Sequence, residues 1–296
     1  MALEILNNIT PSPIINIPSY LRLKLVSLVM NSSTYRQAMG EGKHEDYDMR
    51  NYINQNNREI MEKLSESYRC SNGIIKDILG NVDHWIEGNI KALEALGYAV
   101  AFKGVMMLLT RLSIGLSNPY MEPLEPAIAW DPYWNLPYIP ASSLKGAMRF
   151  IAESKGNPCK MAFGNLNESS SIIVLDAYPT YCLRGSLISL DIINPHYRET
   201  EGRISEVQSK PSPLPFITVS RGVGFKIAIL VARNRLKERT MACNDHDTNN
   251  YIYIRTTQSN CEKACTEDEL RNIIAAALEN GIGAKTSLGY GIFDTK

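Results

Sequence analysis

The spacing of apolar residues changes near residue 100, and no other feature of the sequence constrains the fold as strongly. Residues 22–96 carry apolar side chains at the three- and four-residue intervals typical of helices, and Gly97 is placed to end the last one. After residue 104 the apolar side chains gather in short runs bounded by proline, asparagine and glycine. We therefore predict an α+β protein with an N-terminal helical region, residues 1–100, and a mixed domain, residues 101–296.

The predicted elements of the mixed domain follow the order strand, helix, strand, strand, helix, strand. A serine after Pro140 is predicted to cap the first helix, over residues 142–154. Thr266 is predicted to cap the second helix, whose first turn is acidic. The strand candidates are residues 105–116, 172–177, 186–193, 216–219, 225–231 and 288–293. This order is that of the ferredoxin-like βαββαβ fold.

Composition excludes several classes of protein. Lysine plus arginine and aspartate plus glutamate both number 31, so the chain is neither a polycationic nucleic-acid coat nor an acidic disordered tail. The longest apolar run, residues 105–109, is far shorter than the roughly 20 residues that span a bilayer. No basic segment precedes an apolar stretch at the start of the sequence, so we expect a cytoplasmic protein with no membrane partner.

The densest local signal is a glycine-rich segment between the second helix and the last strand. It contains four glycines in eleven residues: Gly281, Gly283, Gly289 and Gly291. Glycines at this density let a phosphate group or another main chain approach the backbone closely, and Lys285 adds a positive charge. The segment is not a P-loop, because Ala284 stands where that motif needs glycine and because the segment follows a helix. We predict a functional loop here.

The helix after Pro140 carries a second signal. One face is apolar, and another bears Lys145 and Arg149, which lie four residues apart. Ser142 and Ser143 stand at the N-terminus, where unpaired N–H groups and the positive end of the helix dipole favour a phosphate. A solvated basic face explains the lysine and arginine pair equally well.

The six cysteines are too scattered to indicate the disulfide framework of a small secreted domain, and most are predicted to be buried thiols. One group has the ligand types and spacing of a tetrahedral zinc site: Cys243, His246, Cys261 and Cys265. A disulfide is the alternative for this group. The group lacks the stronger C-x2-C spacing, so we assign no metal and no cofactor.

Catalytic candidates are few. His196 is the best candidate for a general base in metal-independent RNA cleavage, although a hydrogen-bonding role is favoured for it. Asp176 and Asp191 could be two ligands of Mg²⁺, but the sequence offers no third ligand and a structural role is favoured for both. The sequence has no serine-hydrolase, zinc-protease or redox motif. We therefore predict no catalytic residue.

Five segments together resemble the RAMP superfamily of CRISPR-associated proteins. They are residues 139–149, 175–179, 191–197, 213–219 and 281–291. The Ser-Leu-Lys-Gly helix and the glycine-rich loop are typical of the superfamily as a whole. The Pro-His-Tyr and Gly-Ala-Lys-Thr sequences resemble, within it, the sixth subunits of type III-B Cmr effector complexes. The resemblance covers the chain from residue 104 to its end.

The resemblance implies an RRM-like, ferredoxin-like fold that binds CRISPR RNA and, through it, target RNA in antiviral defence, without catalysis of its own. Such subunits lie at one end of the effector filament near the 3′ part of the guide. Their neighbours are the backbone nuclease subunit, the small helical subunit and the other head RAMP subunit. A metal-independent endoribonuclease of the same superfamily, acting on guide precursor, is the alternative.

The resemblance also implies which residues contact RNA. They are Ser142, Ser143, Lys145, Arg149, Gly281, Gly283, Lys285, Gly289 and Gly291. Residues 198–215 would form an insertion that reaches over the guide or a neighbouring subunit.

Overall fold

The structure, a computed structural model, describes residues 8–32, 49–193, 198–200, 203–205, 214–233, 251–256 and 261–295. The N-terminal region is helical as predicted, with α1 (Ile17–Asn31), α2 (Met49–Ser67) and α3 (Gly73–Ala95). Gly97 follows α3 with φ 87°, the left-handed conformation that ends a helix and favours glycine. No helix among these residues has the length and apolarity needed to cross a membrane.

The remaining elements, in chain order, are β1 (Tyr98–Met107), β2 (Trp130–Asp131), β3 (Leu136–Pro137), α4 (Ala141–Ser154), β4 (Ile172–Val174), β5 (Tyr178–Cys182), β6 (Ile188–Ile193), β7 (Arg198–Thr200), β8 (Arg203–Ser205), β9 (Leu214–Val219), β10 (Val223–Ala232), β11 (Tyr251–Thr256), β12 (Cys261–Thr266) and α5 (Glu267–Asn280). Short 3₁₀ helices occupy Pro119–Met121, Pro158–Phe163 and Thr286–Leu288. As predicted, Thr266 caps α5 and forms a capping box with Glu269.

Strand β1 begins seven residues before the predicted start at residue 105 and ends at Met107. After Met107 the chain leaves the sheet, since Leu108 forms a single bridge with Phe293 and Leu112 a single bridge with Val219. The prediction of a strand over residues 105–116 is therefore wrong at both ends. It followed the apolar run at residues 105–109, whereas the strand is defined by its pairing with β10.

Strand β10 is the centre of the main sheet. It pairs antiparallel with β1 on one side and with β4 and β5 on the other. Beyond β1, the predicted last strand is present as an antiparallel bridge from Leu108 to Phe293, extended by backbone hydrogen bonds between residues 291–294 and 107–111. The final segment thus lies beside the first strand, which is the spatial order of the ferredoxin-like unit, and the predicted α+β fold is confirmed.

Helices cover both faces of the main sheet. Ile227 of β10 faces an apolar space that is also lined by α4 and α5. Its neighbour Lys226 points to the opposite face, because adjacent residues of a strand alternate. There its ammonium lies 2.6 Å from carboxylate oxygens of both Asp83 and Glu87 on α3. All ten residues of β10 are buried, so the centre of the sheet offers no open surface on which bases could stack.

Two disulfide bonds join distant parts of the chain, Cys70 to Cys182 and Cys159 to Cys265. The prediction that most cysteines are buried thiols is wrong for these four, because folding brings together residues 112 and 106 positions apart. Cys265 is therefore not available to the predicted zinc group. Of the other members of that group, Cys243 and His246 lie outside the described residues, and only the backbone of Cys261 is described.

Candidate nucleic-acid interface

The N-terminus of α4 forms one wall of a surface groove. Pro140 holds the cap position and offers no side-chain acceptor. The carboxylate of Asp176 accepts the N–H of Ala141 at 2.6 Å and so takes the role that the sequence analysis gave to a serine. Ser142 and Ser143 lie inside the first turn and line the groove. Asp176 thus has the structural role favoured for it.

The glycine-rich loop forms the second wall, and its glycines allow close contact with the protein's own main chain. The N–H of Ala284 donates to the carbonyl of Ser113 at 2.7 Å, and the N–H of Gly291 donates to that of Arg111 at 2.7 Å. A Cβ atom at Gly283 would lie 2.5 Å from the Ser113 oxygen, and φ is +94° there. The sequence predicted that the glycines allow the close approach of either a phosphate group or another main chain. At Gly283 and Gly291 it is another main chain that approaches.

Three segments line the groove. They are α4 with Ser142, Ser143, Gly146 and Ala147, the glycine-rich loop with Gly281, Gly283, Ala284 and Thr286, and residues 114–117. Within the described part of the chain, the N–H groups of Gly283 and Thr286 have no acceptor. The groove therefore brings together two motifs that the sequence identified separately. It offers main-chain donors and hydroxyls, the groups that contact a sugar–phosphate backbone, and none of the described residues that line it carries a charged side chain.

The side chains of the predicted basic pair on α4 are not part of the lining of this groove. The ammonium of Lys145 donates to the carbonyl of Ile172 at 3.3 Å. Burial lowers the pKa of Lys145, and the nearby Arg149 lowers it further. Arg149 in turn forms an ion pair with Glu153 at 2.7 Å. Neither side chain lines the groove with Ser142 and Ser143.

Lys285 and Gly289 flank the 3₁₀ helix of the loop, and both are left-handed, with φ 61° and 84°. The ammonium of Lys285 lies 5.5 Å from the ring centroid of Phe216, a cation–π distance. The charge of Lys285 is therefore directed towards β9, next to the part of the loop that lines the groove.

Asp191 ties the loop to the β6–β9 pair. Its carboxylate accepts the hydroxyl of Tyr290 at 2.6 Å and contacts the guanidinium of Arg111 at 2.7 Å. Burial would raise the pKa of Asp191, but the hydrogen bonds from Tyr290 and Arg111 outweigh it and hold the pKa below its ordinary value. Asp191 thus has the structural role favoured for it, because both partners are protein groups.

We expect Tyr290→Phe to lower the free energy of unfolding by about 2 kcal/mol at neutral pH, since it removes a hydrogen bond to an ionised carboxylate. Because the folded pKa of Asp191 is depressed, the stability it contributes is complete above its unfolded pKa and is lost as pH falls through the folded value. The deficit of Tyr290→Phe should therefore shrink below about pH 4. Urea unfolding between neutral pH and pH 3 measures it, with Tyr181→Phe as the control; a deficit independent of pH would contradict the assignment.

Sequence reasoning missed the third wall, residues 114–117. Its main feature is Gly115, where φ is +69° and a Cβ atom would lie 2.7 Å from the backbone nitrogen of Ala129. Only this glycine and the Ser-Asn-Pro turn after it mark the segment in the sequence. The predicted base His196 lies outside the described residues, and of the predicted insertion the pairing of β7 with β8 is described.

Comparison with known proteins gives consistent matches. The sequence profile of the RAMP superfamily matches residues 108–294. The CMR subunit Cmr6 of Saccharolobus solfataricus is 27% identical over 240 residues, 80% of this chain and 70% of that protein. Csm3 of Methanothermobacter thermautotrophicus, named a Cms endoribonuclease, is 30% identical over 162 residues, 44% of this chain and 66% of that protein.

A chain in the cryo-EM structure of the Type III-B Cmr-beta complex bound to cognate target RNA has the same fold. The TM-score is 0.65 at 22% identity, over 99% of this chain and 94% of that chain. The resemblance that the motifs indicated is therefore confirmed. The profile match spans α4, the central strand and the glycine-rich loop. The chain belongs to the RAMP superfamily.

Proposed function

We propose that this protein is a non-catalytic, RNA-binding subunit of a type III-B CRISPR effector complex that holds CRISPR RNA towards its 3′ part. The observation that carries the proposal is the groove in which the first turn of α4 meets the glycine-rich loop. The similarity to a CMR subunit is the basis for proposing this type of complex. The proposed partners are the guide, target RNA paired with it, and neighbouring Cmr subunits.

The lining of the groove favours recognition of the RNA backbone over recognition of bases. Free N–H groups and serine hydroxyls suit phosphate and ribose oxygens, whereas the centre of the sheet, on which RRM domains stack bases, is buried. A formal net charge of zero is compatible with this role, since neighbouring subunits can supply positive charge along the same groove. We propose that Lys145, Arg149 and Lys285 act at the borders of the groove.

The division at residue 100 is part of the proposal. We propose that residues 101–296 form the RNA-binding RAMP domain and that residues 1–100 are a helical addition. Helix α3 covers the face of the sheet opposite α4 and α5, where Lys226 of β10 pairs with its carboxylates, so the addition would cover that face of the domain. The addition would then leave the groove on the other side of the domain accessible.

The groove is tested by placing a side chain in it without disturbing the fold. Gly146 lies in α4 and lines the groove, and a Cβ atom there would meet nothing within 4 Å. Gly146→Glu should weaken guide binding about tenfold, because the carboxylate would occupy the groove and repel phosphates. The measurement is guide affinity of the assembled complex at fixed ionic strength, together with RNA crosslinks to α4 and the loop.

Gly88→Glu is the matched control. Gly88 lies in the exposed part of α3, and a Cβ atom there also meets nothing within 4 Å. Both substitutions replace a mid-helix glycine, so both should slightly stabilise their helices. Guide affinity should change less than twofold for Gly88→Glu. Wild-type affinity in a complex that contains Gly146→Glu would show that the guide does not use this groove.

Guide processing is the second candidate function, because one similar protein is named an endoribonuclease. Under this alternative, the purified chain cuts guide precursor without metal, and His196→Ala abolishes cleavage while complex assembly is retained. Under our proposal the chain alone leaves precursor intact, and His196→Ala changes neither assembly nor guide affinity.

A further inference from the structure

Aromatic side chains form an exposed cluster where α3 meets the turn between β2 and β3. Trp85 and Trp134 have ring centroids 5.7 Å apart, and Trp134 and Tyr133 meet edge to face at 5.1 Å. Tyr133 is 83% exposed and Trp85 is 42% exposed. These three residues are called the aromatic patch.

The backbone of the aromatic patch is held in place by hydrogen bonds. The carboxylate of Asp131 accepts the N–H groups of Tyr133 and Trp134 at 2.7 and 3.0 Å. The buried amide of Asn135 donates to the carbonyls of Pro13 and Ile15, at 3.0 and 2.7 Å, and so fixes the turn against residues 13–15. A surface whose aromatic residues are already ordered loses little conformational entropy on binding. Tryptophan and tyrosine in such settings dominate protein interfaces.

The charge beside the aromatic patch is negative. Tyr178 packs edge-on against Trp85 at 5.7 Å and donates its hydroxyl to Asp131 at 2.7 Å. Burial raises the pKa of the Tyr178 phenol, and the nearby carboxylates of Asp131 and Asp176 raise it further. Neither carboxylate forms an ion pair with a lysine, arginine or histidine of the described segments. By contrast, the nearby carboxylates of α3 are paired with lysines.

We infer that the aromatic patch is the docking surface for a neighbouring protein subunit that presents an arginine- or lysine-bearing segment. A guanidinium can stack on the indole and phenol rings and pair with Asp131 and Asp176 in the same position. Single-stranded RNA, which also stacks on aromatic rings, is disfavoured because the two carboxylates would repel its phosphates. The inference rests on the proposed function, which supplies the neighbouring subunits.

The test uses the assembled effector complex with its guide. A photoreactive p-benzoylphenylalanine replaces Tyr133, and the irradiated complex is analysed for crosslinked peptides and nucleotides. We expect a crosslink to a peptide of another subunit with an arginine or lysine next to the crosslinked residue.

In parallel, Tyr133→Ala should weaken the affinity of this chain for the rest of the complex at least tenfold. Asp176→Asn should also weaken this affinity, while the asparagine side chain keeps the cap on α4.

Tyr120→Ala is the matched control, because Tyr120 is 57% exposed and its ring packs under Arg22, not in the aromatic patch. Its effect on affinity should be less than twofold. A crosslink from position 133 to RNA, or an assembled complex with no crosslink from position 133, would overturn the inference and leave the proposed function standing. Failure of the wild-type chain to assemble with any Cmr subunit would overturn both.

Discussion

Gly291→Ala is expected to lower the free energy of unfolding by about 3 kcal/mol, whereas Gly289→Ala should lower it by only about 1 kcal/mol. Both glycines are left-handed, with φ 73° and 84°, so alanine is strained at either position. The surroundings differ. A Cβ atom at Gly291 would overlap the backbone carbonyl of Ile282, while one at Gly289 would meet nothing within 4 Å.

The pair of variants separates backbone strain from close packing of two main chains. Strain contributes to both variants, and the stiffer unfolded chain offsets part of it in both. The additional loss in Gly291→Ala measures the close contact between the main chains at Ile282 and Gly291, near the two ends of the loop. There the N–H of Ile282 donates to the carbonyl of Gly291 at 2.9 Å. If chemical denaturation gave the same loss of unfolding free energy for both variants, the main chains at Ile282 and Gly291 would not be as close as the structure shows.

Local sequence chemistry predicted the ends of helices well. Thr266 with Glu269 three residues later specifies a capping box, and Gly97 specifies the end of α3, because each signal is complete within one turn of helix. The start of α4 was predicted wrongly for the corresponding reason. Its cap is the carboxylate of Asp176, 35 residues further along the chain, and no local pattern contains that information.

The candidate site was predictable in part. The serines of α4 and the glycine-rich loop were each identified from the sequence, and both line the groove. The direction of Lys145 was not predictable. Spacing on a helix shows which side chains share a face, but not that this face meets the carbonyl of Ile172 on β4. The wall at residues 114–117 has no regular secondary structure, and its position follows from long-range pairing alone.

Removal of the Cys159–Cys265 disulfide should lower the free energy of unfolding by about 2–5 kcal/mol. The bond closes a loop with a sequence separation of 106 residues, so cutting it restores much conformational freedom to the unfolded chain. It joins the 3₁₀ helix Pro158–Phe163 to β12, which leads directly into α5. The double variant Cys159→Ala, Cys265→Ala tests this by chemical denaturation without reductant. Cys70→Ala with Cys182→Ala is the comparison, since its separation of 112 residues predicts a loss of similar size.

A bound zinc ion is the alternative to the disulfide between Cys159 and Cys265. Cys159, Cys265 and Glu269 could hold a metal if the two thiols were reduced, because their ligand atoms lie within 4.8 Å of one another. The two accounts predict opposite sensitivities. A disulfide makes the wild type lose stability when a reductant is present during unfolding and makes it indifferent to a chelator. A zinc site makes it lose stability with the chelator and release one equivalent of metal. If the reductant has no effect and thiol titration of the denatured protein finds Cys159 and Cys265 free, the disulfide is wrong and the metal becomes the better explanation of why these cysteines meet.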